Sequence, residues 1–183
     1  MKDQFVGERI ELDNALAFWV YRVYQGTRRE LYRSFLRNGQ DITPEQWLIL
    51  VRLWESDGRT QSDLCESTIK DRPTISRAID VLETRGIVER RSSPEDGRLR
   101  SVFLTRTGKE LQRKLVPVVR SLVGQLEGGL NDPELCMTRQ TLKQMAGNLD
   151  QLAEQAELEA AEQRRARATS RARPGRTLRR PPR

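Results

Sequence analysis

The chain has 183 residues, 36% apolar and 32% charged, which suits one helical domain with a lean core and leaves little room for two. It contains no His and only two Cys, Cys65 and Cys136. That excludes a Ser-His-Asp triad, a His base, His-ligated zinc, a C-x-x-C redox pair and a thiolate metal cage. The net charge of +7 belongs to one end: nine Arg and no acid lie between Arg164 and Arg183, and +7 less these nine leaves −2 for the first 163 residues.

Further classes fall away on motif grounds. The only Gly-Lys pair, Gly108-Lys109, is followed by Glu110, so there is no Walker A, and no G-x-S-x-G is present. No apolar run approaches the roughly 18–20 residues that span a bilayer. Met1–Glu11 is charged and lacks an apolar h-region, so no secretory signal is expected. The sparse cysteines fit a reducing cytoplasm. Neither an enzyme nor a cofactor is expected.

In chain order, residues 10–38 read as a long helix, with Leu12, Leu16, Trp19, Val23, Thr27, Leu31 and Phe35 recurring at threes and fours until Asn38-Gly39 stops it. Thr43-Pro44-Glu45-Gln46 is a capping box with Pro at the first helical position, followed by the stripe Trp47, Leu50, Val51 and Trp54. Asp57-Gly58 ends that helix. Thr60-Gln61-Ser62-Asp63 opens a short third helix that ends near Thr68. A fourth starts at Asp71 or Arg72, with Ile75, Ile79 and Leu82 on one face and Pro73, Arg77, Asp80 and Thr84 on the other, until Gly86. Two β-like runs, Ile87–Arg91 and Ser101–Leu104, flank the turn-rich Ser92–Arg98 and predict a hairpin. Its tip and flanks are basic, with six Arg, among them Arg91, between Arg85 and Arg106. Thr105 caps a fifth helix that Pro117 should kink. Asn131 or Asp132 caps a sixth, where Leu135, Leu142, Met145, Leu149, Leu152 and Ala156 approximate heptads. Residues 163–183 carry too little apolar surface to offset ordering entropy and predict a disordered tail.

Residues 60–84 thus form a helix-turn-helix and 87–104 a wing. The short helix, led by Thr60, Gln61 and Ser62, braces on the DNA backbone while the next enters the major groove, about 12 Å wide. Pro73, Thr74, Ser76 and Arg77 lead it in. Arg77 can reach guanine bidentately, and Thr74 and Ser76 can bond phosphates or bases. Helix N-termini also attract phosphate through their unpaired N–H groups.

With this order of motifs, Ile42–Leu111 resembles the MarR family of winged-helix transcriptional regulators. The resemblance rests on Thr43–Trp47, Thr60–Leu64, Asp71–Arg77, Leu82–Val88, Pro94–Arg98 and Leu104–Gly108 at these spacings, and with the terminal helices it covers roughly residues 10–155. It implies a mainly α fold with a small β-hairpin wing. Helices in 10–38 and 106–156 would serve dimerisation, making a domain of 10–156 beside the tail. It further implies a cytoplasmic homodimer on a pseudo-palindromic operator, more often a repressor, and responsive to small aromatic or phenolic ligands. The recognition residues map to Arg72–Arg77. In the wing, Arg98 would enter the minor groove, oriented by Asp96. Gly97 stands where such wings often carry another basic residue, which lowers the expected charge of the tip.

Other readings stand beside these. Asp96-Gly97 also suits a plain hairpin turn, and Arg77 also suits a surface pair with Asp80. Glu83 and Arg85 read as surface charges. Trp19, Trp47 and Trp54 are assigned to the core. Tyr21, Tyr24 and Tyr32 with nearby Arg can supply a ligand site, though the sequence selects none of them. Cys65 reads as a small buried residue. Thiol-sensing relatives carry a cysteine near the start of the first long helix; this chain has none there, which disfavours peroxide sensing of that kind. The tail suits either a solvated extension or an arm that binds double-stranded DNA nonspecifically. The alternative function is a nonspecific, architectural nucleic-acid-binding protein.

Overall fold

Side-chain caps set the starts of most of the helices. A computed structural model describes residues 5–6, 9–92 and 100–171, with side chains for 11–92 and 100–164. Two short strands, β1 (Phe5–Val6) and β2 (Arg9–Ile10), pair antiparallel and precede a 3-10 turn at Leu12–Asn14. Then come α1 (Leu16–Arg37), α2 (Pro44–Glu55), β3 (Arg59–Thr60), α3 (Gln61–Thr68) and α4 (Arg72–Thr84). The chain continues through β4 (Val88–Ser92), β5 (Arg100–Leu104), α5 (Arg106–Leu126) and α6 (Asp132–Arg171). Thr43 with Gln46, and Thr60 with Asp63, form reciprocal capping boxes, while Asp71 and Thr105 each cap their helix through one backbone N–H. Each such cap is worth about 1 kcal/mol. Gly86, at φ 65°, closes α4, and the Ile87 amide donates back to the Leu82 carbonyl.

The chain divides into two compact units, residues 1–128 and 129–183. In the first, one core joins all the helices to the sheet. Phe35 of α1, Ile49, Leu50 and Leu53 of α2, Leu64 of α3, Ile75, Ile79 and Leu82 of α4, and Leu115 of α5 are fully buried. Each side chain of this kind contributes roughly 1.5–3 kcal/mol. Val88 and Val102 complete the core from the sheet, whose strand order is β3-β5-β4 and whose pairs are all antiparallel. Phe35, Trp47 and Trp54 form an aromatic chain with successive centroids 5.5 Å apart, and the Trp54 indole donates to the Gly108 carbonyl at 3.0 Å. The second unit is α6, 40 residues and so about 60 Å long. Asn131 and Glu134 cap its start reciprocally.

The structure departs from the sequence expectations in several places. The first long helix begins at Leu16, not residue 10. Glu11 and Asn14 bond each other through their side chains, and Ala15 is extended, which confines Leu12–Asn14 to a 3-10 turn. Trp19 is 42% exposed in the single chain, because its indole donates outward to the Asp13 carbonyl. The predicted hairpin forms as β4 and β5, and β3 adds a third strand to it: Arg59 and Thr60 pair with Val102 and Ser101. Residues 163–171, expected in the disordered tail, continue α6. Ala, Arg and Gln are strong helix formers, so propensity carries the helix past the last apolar residues. Residues 172–183 lie outside the described residues. α5 runs unbroken across Pro117.

Candidate nucleic-acid interface

The helix-turn-helix is built from local chemistry and pinned by long side chains. Both ends of the Arg52 guanidinium edge donate to the Ser67 carbonyl, at 3.1 and 2.8 Å, and so moor α3 to α2. At the start of α4, the Asp71 carboxylate accepts from the Thr74 amide at 2.8 Å and from its hydroxyl at 2.9 Å. These two bonds, the backbone one first, hold the Asp71 carboxyl below its ordinary pKa. Thr74 is therefore committed to the cap. Pro73 sits in the first turn, where no N–H is missed.

Several expected interface residues come together. Arg72 donates to the Ser62 hydroxyl at 2.9 Å, and the Gln61 amide reaches the Arg72 carbonyl at 3.5 Å. The leading ends of α3 and α4 thus form one polar ridge. Thr60 is occupied as the α3 cap, accepting from the Asp63 amide at 3.2 Å. Arg77 is exposed, bonds the Pro73 carbonyl at 3.2 Å, and pairs with no carboxylate among the described residues. The alternative Arg77–Asp80 pair does not form: Asp80 goes to Arg90 at 2.6 Å. Ser76 is half-buried beside it. Arg91 pairs with Glu89 and lies over the Phe103 ring, 4.8 Å from its centroid, so it lines the sheet face instead of standing free. Asp96, Gly97 and Arg98 lie outside the described residues.

The sequence reading missed three anchors. Arg90 engages both Glu83, which reads from sequence as a surface charge, and Asp80, which reads as an alternative partner of Arg77. Arg85, also assigned to the surface, donates to the Asp41 carbonyl. Lys70, one residue before the α4 cap, donates to the Tyr24 hydroxyl of α1 at 3.1 Å, and Arg28 donates to the same oxygen at 3.3 Å. Arg28 also pairs with Glu45 at 2.6 Å, so a polar chain runs from the turn before α4 to α1 and α2. Lys70 first and Arg28 second lower the Tyr24 pKa. The one sequence signal for the Arg90 anchor is the Asp80-x-x-Glu83 spacing, which puts two carboxylates on one side of α4 opposite a basic strand.

Two clefts flank α5 within the first unit. One, of about 410 Å³, lies between α2 and α5 with Trp47, Val51, Trp54, Val116 and Val119 as walls and Arg120 at its rim. The other, about 390 Å³, lies between α1 and α5 around Trp19, Val23, Gly26 and Leu122. Cys65 is half-buried against the core and Cys136 is exposed. No described helix is long and apolar enough to cross a membrane.

Comparison with known proteins agrees with this geometry. A model of the MarR family matches residues 40–99, which run from just before α2 to the residue before β5. The chain is 31% identical over 141 residues to the HTH-type transcriptional regulator TtmR of Methylorubrum extorquens, covering 77% of this chain and 69% of that one. It is 29% identical over 126 residues to the organic hydroperoxide resistance transcriptional regulator of Bacillus subtilis, covering 68% and 82%. Among solved structures, a probable transcriptional regulator from Pseudomonas aeruginosa superposes with a TM-score of 0.67 at 28% identity, over 74% of this chain and 99% of that one.

Proposed function

The chain belongs to the MarR family and is a winged-helix, DNA-binding transcriptional regulator; from that premise we propose that it acts as a homodimeric repressor on a pseudo-palindromic operator, released by a small aromatic or phenolic ligand. The observation that carries the DNA-reading part is the exposed Arg77 on a capped α4, beside the Arg72–Ser62 ridge. A helix presented in this way enters a major groove with its N-terminal residues at the base edges. Thr60, Gln61, Ser62, Arg72, Pro73, Thr74, Ser76 and Arg77 make the half-site contacts, Thr60 and Thr74 chiefly through the helix ends that they cap. Arg91 contributes charge at the wing, and Arg98, oriented by Asp96, reads the minor groove.

Dimerisation rests on exposed apolar side chains at both ends: Leu16, Val20 and Val23 on α1, and Leu142, Leu149 and Leu152 on α6. A solution mass of one 21.2 kDa chain at micromolar concentration would end that part of the proposal. The α2–α5 cleft, with indole walls and the Arg120 guanidinium, has the chemistry for an aromatic anion. Neither cysteine lies on α1, so the ligand reading is preferred to thiol sensing. The proposed partner is double-stranded DNA and the proposed compartment the cytoplasm, in keeping with the sparse cysteines.

The deciding experiment is selection of duplexes from a random pool, followed by competition with single-base variants. Arg77→Ala should lose roughly 1–3 kcal/mol per half-site and relax preference at one base pair. Unchanged affinity would refute the assigned recognition face. Equal affinity for all sequences would turn the reading towards a nonspecific architectural protein.

A further inference from the structure

Arg90 is a deeply set guanidinium of the winged module. Its side chain, 19% exposed, leaves β4 and divides between two carboxylates of the recognition helix. Nη2 donates to Asp80 Oδ1 at 2.6 Å and Nη1 donates to Glu83 Oε2. The Arg90 backbone amide donates to the other Glu83 oxygen at 3.0 Å. Burial alone would disfavour the charge, but the bonds to Asp80 and then Glu83 reverse this and raise the pKa. Asp80 lies three residues beyond Arg77, on the same side of α4. In the sheet, Arg90 faces Val102, two residues before β4 ends at Ser92 and eight positions before Arg98 in the sequence.

We propose that Arg90 is a positioning residue for DNA recognition: it fixes the wing against the recognition helix, so that major-groove and minor-groove readers engage one half-site together. The fork is what matters. A guanidinium spans two acceptors in a fixed plane, whereas an ammonium supplies the same charge from a single point. Charge neutralisation of Asp80 and Glu83 would be met by either. The proposal rests on Arg98 reading the minor groove only where binding is the readout.

The test uses the full chain and a duplex selected from a random pool, in A·T-flanked and G·C-flanked forms. Arg90→Ala and Arg90→Lys should each raise Kd on the A·T-flanked duplex about tenfold, the worth of one charged hydrogen-bonded contact. Both should lose flank discrimination while keeping the base-pair preference set by Arg77. Arg90→Ala combined with Arg98→Ala should bind no worse than Arg98→Ala alone. Rescue by Lys, or additive losses, would overturn the proposal. Hydrogen exchange on the free proteins decides independently of DNA. In Arg90→Lys the Val88–Ser92 amides should exchange about tenfold faster while α2 and α5 stay protected. Unchanged wing exchange would also overturn it. An Arg98→Ala variant that binds like wild type would refute the minor-groove contact alone, leaving the exchange result to decide the placement of the wing.

Discussion

Replacing Ile69 by glycine should stabilise the protein. Ile69 follows α3 at φ 53°, ψ 48°, the left-handed region, and its side chain is 91% exposed. A β-branched residue there brings Cβ against its own carbonyl, at a cost of roughly 1–2 kcal/mol. Glycine removes that cost but adds freedom to the unfolded chain, worth roughly 0.5–1 kcal/mol in the other direction. Almost no burial is lost, so the net gain is about 0.5–1 kcal/mol. For a chain of this size that raises Tm by about 1–4 °C. Scanning calorimetry on wild type, Ile69→Gly and Ile69→Ala measures it. Alanine keeps the left-handed cost and should melt near wild type. An Ile69→Gly protein that melts at or below wild type would refute the reasoning, as would an alanine variant that gains as much as glycine.

Gly108→Ala should destabilise by about 1–3 kcal/mol even though alanine favours helix, because a Cβ there would stand 2.2 Å from the Ile87 carbonyl oxygen; denaturant melts report the sign. Asp71→Asn tests the cap of α4. The folded Asp71 pKa lies below the ordinary 3.8, so its contribution is complete above that pH and is lost as pH falls through it. The advantage of wild type over Asp71→Asn in urea melts should therefore vanish in acid, and a pH-independent difference would contradict the cap assignment. Removing residues 164–183 takes away nine Arg; if about half contact phosphate at once, the slope of log K against log salt on random duplex should flatten by about 4, whereas parallel slopes would leave the segment a solvated extension.

What could be read from the sequence follows the range of the interaction. Thr43–Gln46, Thr60–Asp63, Asp71–Thr74 and Thr105–Gly108 are bonds across three residues, and the residue types alone announce them. The buried face of α4, Ile75, Ile79 and Leu82, follows from helical period in the same way. β3 was not legible, since two residues have no period and their partners lie some forty positions on, in β5. Nor were the fork of Arg90 or the Lys70–Tyr24 bond, each closed by tertiary packing. The start of α1 was misplaced because Leu12 fits the helical stripe while Glu11 and Asn14 bond each other instead. At the other end of the chain, weighing burial alone hid a helix that composition favours. Of the residues expected at the interface, Arg77 is exposed near the start of α4, Arg72 and Ser62 bond each other, and Thr74 and Arg91 also have internal partners.

Thr60 ends β3, facing Ser101, and is also the cap of α3. No slack residue separates the sheet from the helix-turn-helix, so a shift of β5 along its axis is passed through one peptide to the first turn of α3. If α4 and the wing read one half-site, as proposed, the module is expected to work as a gauge of fixed width. A duplex whose grooves fall out of phase with that width would then have to untwist or bend to fit, because the junction of β3 with α3 offers no joint at which to yield. Deformation of DNA costs least at pyrimidine–purine steps. Selected duplexes should accordingly favour such steps between the segment under α4 and the segment under the wing, at base pairs that no side chain touches.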